Sequence, residues 1–182
     1  TILIFCVECK NIFDHLLMKK YLSILLGILL FFIYVPVQAQ TEVPDVKVKN
    51  LNGELVSIRE VVQGKPFIMS FWGVTCKPCL MELNALNDQM EEWLEEVDFD
   101  IVAVSIDDSR FSSRARSMVQ GYDWQFQAVF DENQDLKRAM NVSFTPQTYI
   151  FDAAGKMVYS HSGYTPGSEQ ELLEQLKKIA GK

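Results

Sequence analysis

The chain has 182 residues, 48% of them apolar, and a formal net charge of −7. That length can bury one good hydrophobic core. The acidic balance, with no basic patch or basic tail, excludes the usual electrostatic footprint of a nucleic-acid binder.

The first 39 residues differ from the rest. Residues 1–17 begin with Thr and do not look like the start of a targeting signal, so they are expected to be a gene-model extension, with translation starting at Met18. Cys6 and Cys9 fall in this segment and are assigned no chemistry. Met18-Lys19-Lys20 is a short positive start, Leu22 to Val35 is almost unbroken Leu, Ile and Phe, and Val37-Gln38-Ala39 offers small residues for cleavage. That is the secretory-signal pattern over residues 18–39. The alternative is a retained anchor, since the apolar core from Tyr21 to Val37 is near the short end of a membrane span. Residues 1–39 hold three of the 17 basic residues and two of the 24 acidic ones, so residues 40–182 carry −8. Export would place the remaining thiols where disulfides form and persist.

From residue 40 the pattern is that of a single domain. Val46 to Lys49 and Leu55 to Ile58 alternate around a Leu51-Asn52-Gly53-Glu54 turn, predicting an edge hairpin. After Gly64-Lys65-Pro66, Phe67 to Trp72 reads as a strand buried on both faces. In the next helix, Cys79, Leu83, Leu86, Met90, Trp93 and Val97 fall within about 40° of one line, opposite Asn84, Asp88, Glu91 and Glu95. Phe99 to Ile106 is a strand, Ser109 to Val119 a helix closed by Gly121, Phe126 to Phe130 a strand and Gln134 to Met140 a short helix. Gln147 to Phe151 and Met157 to Ser160 are strands joined by a turn at Ala153-Ala154-Gly155-Lys156. Ser168 and Glu171 form a capping-box pattern before a last helix carrying Leu172, Leu173, Leu176, Ile179 and Ala180. Crossover helices between successive long strands imply parallel pairing, and the last two strands an antiparallel hairpin. The fold class is α/β, with a central mixed sheet and helices on both faces.

The chemistry concentrates in Phe71-Trp72-Gly73-Val74-Thr75-Cys76-Lys77-Pro78-Cys79. Two thiols stand one helical turn apart where a strand gives way to a helix. The thiolate is the nucleophile in disulfide exchange, and a free cysteine with a pKa near ~8.5 is mostly protonated at neutral pH. Unpaired N–H groups and the dipole at a helix start favour the anion at Cys76, Lys77 adds positive charge, and Pro78 lies where a missing N–H costs little. Cys76 is thus the attacking thiol and Cys79 the resolving one. Two other readings stay open at this point. A structural zinc site needs four ligands, and beyond residue 39 the chain offers these two cysteines and His161. A structural disulfide would close so short a loop that it constrains the unfolded chain little.

Taken with Glu82, the Asp131-Glu132 region, Thr145 through Asp152 and Gly155-Lys156, this segment resembles the thioredoxin superfamily, and within it the exported TlpA/ResA-like thiol–disulfide oxidoreductases. The resemblance spans Pro44 to Lys182. It departs at Gly73-Val74-Thr75, where the family often has Ala, a variable residue, and Trp or Thr. It implies a thioredoxin-like fold with an N-terminal hairpin extension over residues 40–182. It also implies a cis Pro146 against the cysteines, with the Thr145 backbone free to pair with an extended substrate peptide. Glu82, about 60° around the helix from Cys79, would exchange a proton with it. Trp72, Thr75, Lys77 and Pro78, with Thr145 and Pro146, would line the substrate side, Trp72 chiefly as a packing lid.

The resemblance and the signal pattern together imply an exported reductant of protein disulfides, in the periplasm of a Gram-negative bacterium. It would need no cofactor beyond the redox-active disulfide and no metal, and a membrane thiol-transfer protein would recharge it. Apocytochrome, in cytochrome c maturation, is a client by analogy. The membrane is a partner only if the signal segment is retained. The rivals on the same fold are a peroxiredoxin, against which Trp72 and the cysteine spacing speak, and a Sco-like copper-delivery protein, whose two cysteines have three residues between them and act with a distant His, whereas here two residues intervene and His161 has no supporting context.

Overall fold

The computed structural model describes residues 18–21, 42–62 and 64–181. The expected extension at 1–17 and all of the expected signal beyond the helical residues 18–21 lie outside the described residues. The chain divides into two units, Thr1–Ala39 and Gln40–Lys182. No helix among the described residues is long and apolar enough to cross a membrane.

In the second unit the elements run β1 (Lys47–Lys49), β2 (Leu55–Ser57), α1 (Ile58–Val61), β3 (Phe67–Trp72), α2 (Lys77–Glu96), β4 (Asp100–Ser105), α3 (Ser112–Tyr122), β5 (Gln127–Phe130), α4 (Asp135–Ala139), β6 (Gln147–Phe151), β7 (Met157–Ser162) and α5 (Glu169–Ile179). They build one seven-stranded sheet in the order β2-β1-β5-β4-β3-β6-β7. β3 pairs in parallel with β4, and β4 with β5, as crossover helices require. β6 is antiparallel to both β3 and β7, and the β1–β2 hairpin closes the opposite edge. The mixed sheet and terminal hairpins are those expected from the sequence.

Strand alternation divides the core between the two faces of the sheet. Ile68 and Trp72 of β3, Ile101 and Ala103 of β4 and Ile150 of β6 pack with Leu83, Leu86 and Trp93 of α2, Ala115 and Val119 of α3, and Leu172 and Leu176 of α5. Phe67, Met69, Phe71, Val102, Val104, Tyr149 and Phe151 face the other way, against Ile58 of α1 and Leu136 of α4. The α2 stripe read from the sequence is the buried one, with Met90 partly covered at its margin.

Several boundaries differ from expectation. Ile58 leaves the predicted strand and opens α1, where its side chain is buried. α3 begins at Ser112 and passes through Gly121; Asp123, with φ 54° and ψ 40°, ends it in the left-handed region. The capping box at Ser168 does not form. Ser168 has helical backbone angles and its side chain caps nothing in α5, while the Glu169 carboxylate takes the Gly167 N–H at 2.9 Å.

Glu132, one of the residues carrying the resemblance, is a structural clamp. Its carboxylate binds Lys49 Nζ at 2.7 Å and the Arg116 guanidinium at 3.1 Å. Arg116 also donates to the Asn50 carbonyl at 2.6 Å and lies over the Phe130 ring at 4.2 Å. These contacts tie the hairpin to α3 and β5.

Candidate active site

The site forms where β3 ends and α2 begins. Cys76 and Cys79 are joined by a disulfide, with Cα atoms 5.3 Å apart. Cys76 is the N-cap of α2, and its Sγ accepts the Cys79 N–H at 3.3 Å. A sulfur in that position meets the unpaired N–H groups and the positive end of the helix, which favour a thiolate once the bond is reduced. Pro78 stands in the first turn, where no hydrogen bond is forfeited. Cys76 is half-buried and Cys79 fully buried, the division expected of an attacking and a resolving sulfur.

Thr75, Lys77 and Pro78 surround Cys76 on the exposed side, and the Thr145–Pro146 bond is cis, with Thr145 half-buried and Pro146 buried. Trp72 does not join this rim. Its side chain is fully buried, edge-on to Trp124 at 5.3 Å between ring centroids, so it packs the core. It falls on the inward side of β3 with Ile68 and Ser70, and the pleat, more than nearness to Cys76 along the chain, decides where it points.

Three residues after Cys79 on α2 comes Glu82, only 1% exposed. The Ser70 hydroxyl donates to its Oε2 at 2.8 Å, and the Thr148 hydroxyl lies 3.0 Å from both carboxyl oxygens. Ser70 and Thr148 are direct partners across β3 and β6, so both side chains stand on the α2 face of the sheet. Burial pushes the Glu82 carboxyl up to about 7, against the lowering effect of these two hydroxyls. A group poised there both accepts and returns a proton near neutrality. Periodicity alone places Glu82 on a solvated flank; its burial comes from the sheet beneath it.

Sequence reasoning missed the partners of these residues. Ser70 and Thr148 interrupt otherwise apolar, inward-facing rows, and that interruption was the available signal. Asp107, just past β4, accepts the Val74 N–H at 3.0 Å and the Ser105 hydroxyl at 2.9 Å. It thereby anchors the loop whose Gly73 carbonyl accepts the Cys76 N–H at 3.0 Å. A Cβ at Gly73 would lie 3.6 Å from the Asp107 carboxylate, an ordinary contact, so the family's alanine fits there. Asp107→Ala leaves a part-buried N–H without its acceptor and is expected to cost about 1–3 kcal/mol, measured by urea denaturation. Phe144, next to Thr145 in the chain, is an exposed large apolar side chain, 59% accessible.

Among the described residues, no group of three or more His, Cys, Asp or Glu side chains is arranged to hold a metal ion. His161 sits on β7 opposite Thr148.

Comparison with known proteins agrees with this geometry. Residues 39–160 match the model of the AhpC/TSA family. The chain is 27% identical over 138 residues to the thiol-disulfide oxidoreductase ResA of Bacillus thuringiensis subsp. konkukian, covering 76% of each chain. It is 30% identical over 138 residues to the thioredoxin-like protein YneN of Bacillus subtilis, covering 75% of this chain and 79% of that one. The solution structure of a thioredoxin-like protein from Porphyromonas gingivalis superposes with a TM-score of 0.69 at 38% identity, covering 76% of this chain and 92% of that one. The chain belongs to the AhpC/TSA family, and its disulfide at the head of α2, on a thioredoxin-like fold, makes it a thiol–disulfide oxidoreductase.

Proposed function

We propose that the protein is exported to the periplasm of a Gram-negative bacterium and there reduces disulfides of other proteins, apocytochrome c among them, drawing electrons from a membrane thiol-transfer protein. The observation that carries this reading is the pairing of a half-buried Cys76 at a helix N-terminus with a buried Cys79, on the same helix as the buried, protonatable Glu82. The signal-like pattern of residues 18–39 supports export.

In the reduced protein the Cys76 thiolate attacks one sulfur of the client disulfide. The client S–S bond breaks, a Cys76–client bond forms, and the departing client sulfur takes a proton. Cys79 then passes its proton to Glu82 and attacks Cys76. The second client sulfur leaves as a thiol, and the Cys76–Cys79 disulfide closes. Two electrons have moved from this chain to the client. The exposed Thr75, Lys77, Pro78 and Phe144 and the half-buried Thr145 form the surface against which the client segment lies.

The deciding measurement is the reduction potential of the Cys76–Cys79 couple. It is read in the full chain from the peptide carrying both residues after glutathione equilibration and differential alkylation. A value near about −270 mV, as for thioredoxin, is expected; a value near about −120 mV, as for strong oxidants, would make the protein a disulfide donor and overturn the reductase reading.

A further inference from the structure

Glu82 is closed on the sheet side by Ser70 and Thr148. Gly163, just past β7, donates its N–H to the Pro146 carbonyl at 2.9 Å and so ties the loop after it to the cis-proline. In that loop the Tyr164 hydroxyl donates to Glu169 Oε2 at 2.9 Å, and the Gly167 N–H donates to the same oxygen at 2.9 Å. Glu169 Oε1 accepts the Gln89 side-chain N–H at 3.1 Å. Gln89 comes seven residues after Glu82, two turns along the same face of α2. The grip of Gln89 therefore places Glu169, 7% exposed in the first turn of α5, along the face from which Glu82 projects.

Three side-chain and backbone donors around one carboxylate favour its charged form. We propose that Glu169 is a positioning residue for the proton step: its carboxylate, held ionised by Tyr164, Gln89 and Gly167, is a fixed negative charge that makes Glu82 a stronger base than burial alone does. This rests on the reading of Glu82 as the proton acceptor for Cys79. The electrostatics agree. Burial works against ionisation of Glu169, but the hydrogen bonds outweigh it and hold the carboxyl below its ordinary range. The charge on Glu169 adds to burial in raising Glu82. Burial, the bond to Glu169 and the charges of Glu169 and Glu82 push the Tyr164 hydroxyl up to about 12, so it stays a donor throughout.

The titratable groups that face Glu82 are Cys79 on its own helix, Tyr164 and Glu169 from the loop and α5, and His161 across from Thr148. The test is therefore run in a His161→Asn background, which removes any imidazole charge. The Glu82 carboxyl of the oxidised full chain is titrated by carbon-13 NMR, its signal assigned by its loss in Glu82→Gln. Glu169→Gln is expected to lower the midpoint by about one pH unit. Glu169→Asp and Tyr164→Phe keep the charge and should leave the midpoint in place. An unmoved midpoint in Glu169→Gln overturns the proposal. So does an equal shift in all three variants, which would reflect loosening of α5. The pH profile of disulfide reduction separates the two levels. If Glu82→Gln flattens that profile while Glu169→Gln leaves the Glu82 midpoint alone, the role of Glu169 fails and that of Glu82 stands. If Glu82→Gln leaves the profile unchanged, both fail.

Discussion

Replacing Cys79 by Ser is expected to halt the reaction at the mixed disulfide. Cys76 remains half-exposed at the N-cap of α2, so its attack on a client disulfide proceeds. Among the described residues, the sulfur that closes back on Cys76 to resolve the adduct is gone, and turnover falls to the rate at which outside thiols cleave the bond. The covalent adduct should accumulate to one client per chain. Cys76→Ser should form no adduct at this site, because the buried Cys79 cannot meet a protein-sized disulfide. Non-reducing electrophoresis, followed by mass spectrometry that places the client on the Cys76 peptide, checks both results. Accumulation of an adduct at Cys79 in Cys76→Ser would reverse the assigned roles.

The second large effect concerns Glu82 and pH. Its carboxyl titrates near 7 in the folded protein and near 4.5, the ordinary value for a glutamate, when unfolded. Between these values the folded state holds a proton that the unfolded chain releases. The stability linked to this group is therefore full below about pH 4.5 and is lost as pH rises through about 7. The loss is on the order of 3 kcal/mol, since the group is buried and little screened. Glu82→Gln has no such titration. Its stability relative to the parent should therefore rise by roughly that amount between pH 4.5 and pH 8, in urea denaturation of the oxidised protein. A difference that stays the same at both pH values would mean that Glu82 is ionised in the fold throughout. In the reduced protein the same variant is expected to shift the cysteine titration, because an ionised Glu82 opposes formation of the thiolates at the head of its helix.

Much of the active site was legible because it is local. A strand of six apolar-rich residues, a short turn and an amphipathic helix put Cys76 at an N-cap and Cys79 one turn on, whatever the rest of the chain does. The parallel pairing of β3 with β4 comes from the helix between them. Other features depend on groups far apart in sequence. Glu82 reads as a flank residue on α2 until Ser70 and Thr148, 12 and 66 residues away, are set beneath it. Trp72 reads as a rim residue until the pleat of β3 turns it inward against Trp124. Ser168 and Glu171 have the spacing of a capping box, yet Glu169 takes the role of acceptor through a loop that no local pattern encodes.

The sequence by itself thus determined the α/β class, the order of strands and helices apart from α1, and the redox pair. These rest on hydrophobic period, helix-end chemistry and spacing, all of which act within a few turns of chain. Only the tertiary structure decided that Glu82 is buried and titrates near 7, that Asp107 anchors the cysteine loop and that Glu169 lies along the Glu82 face of α2. The strength of a buried charge depends on which donors and which neighbouring charges surround it, and those are brought together by packing between elements that the sequence keeps apart.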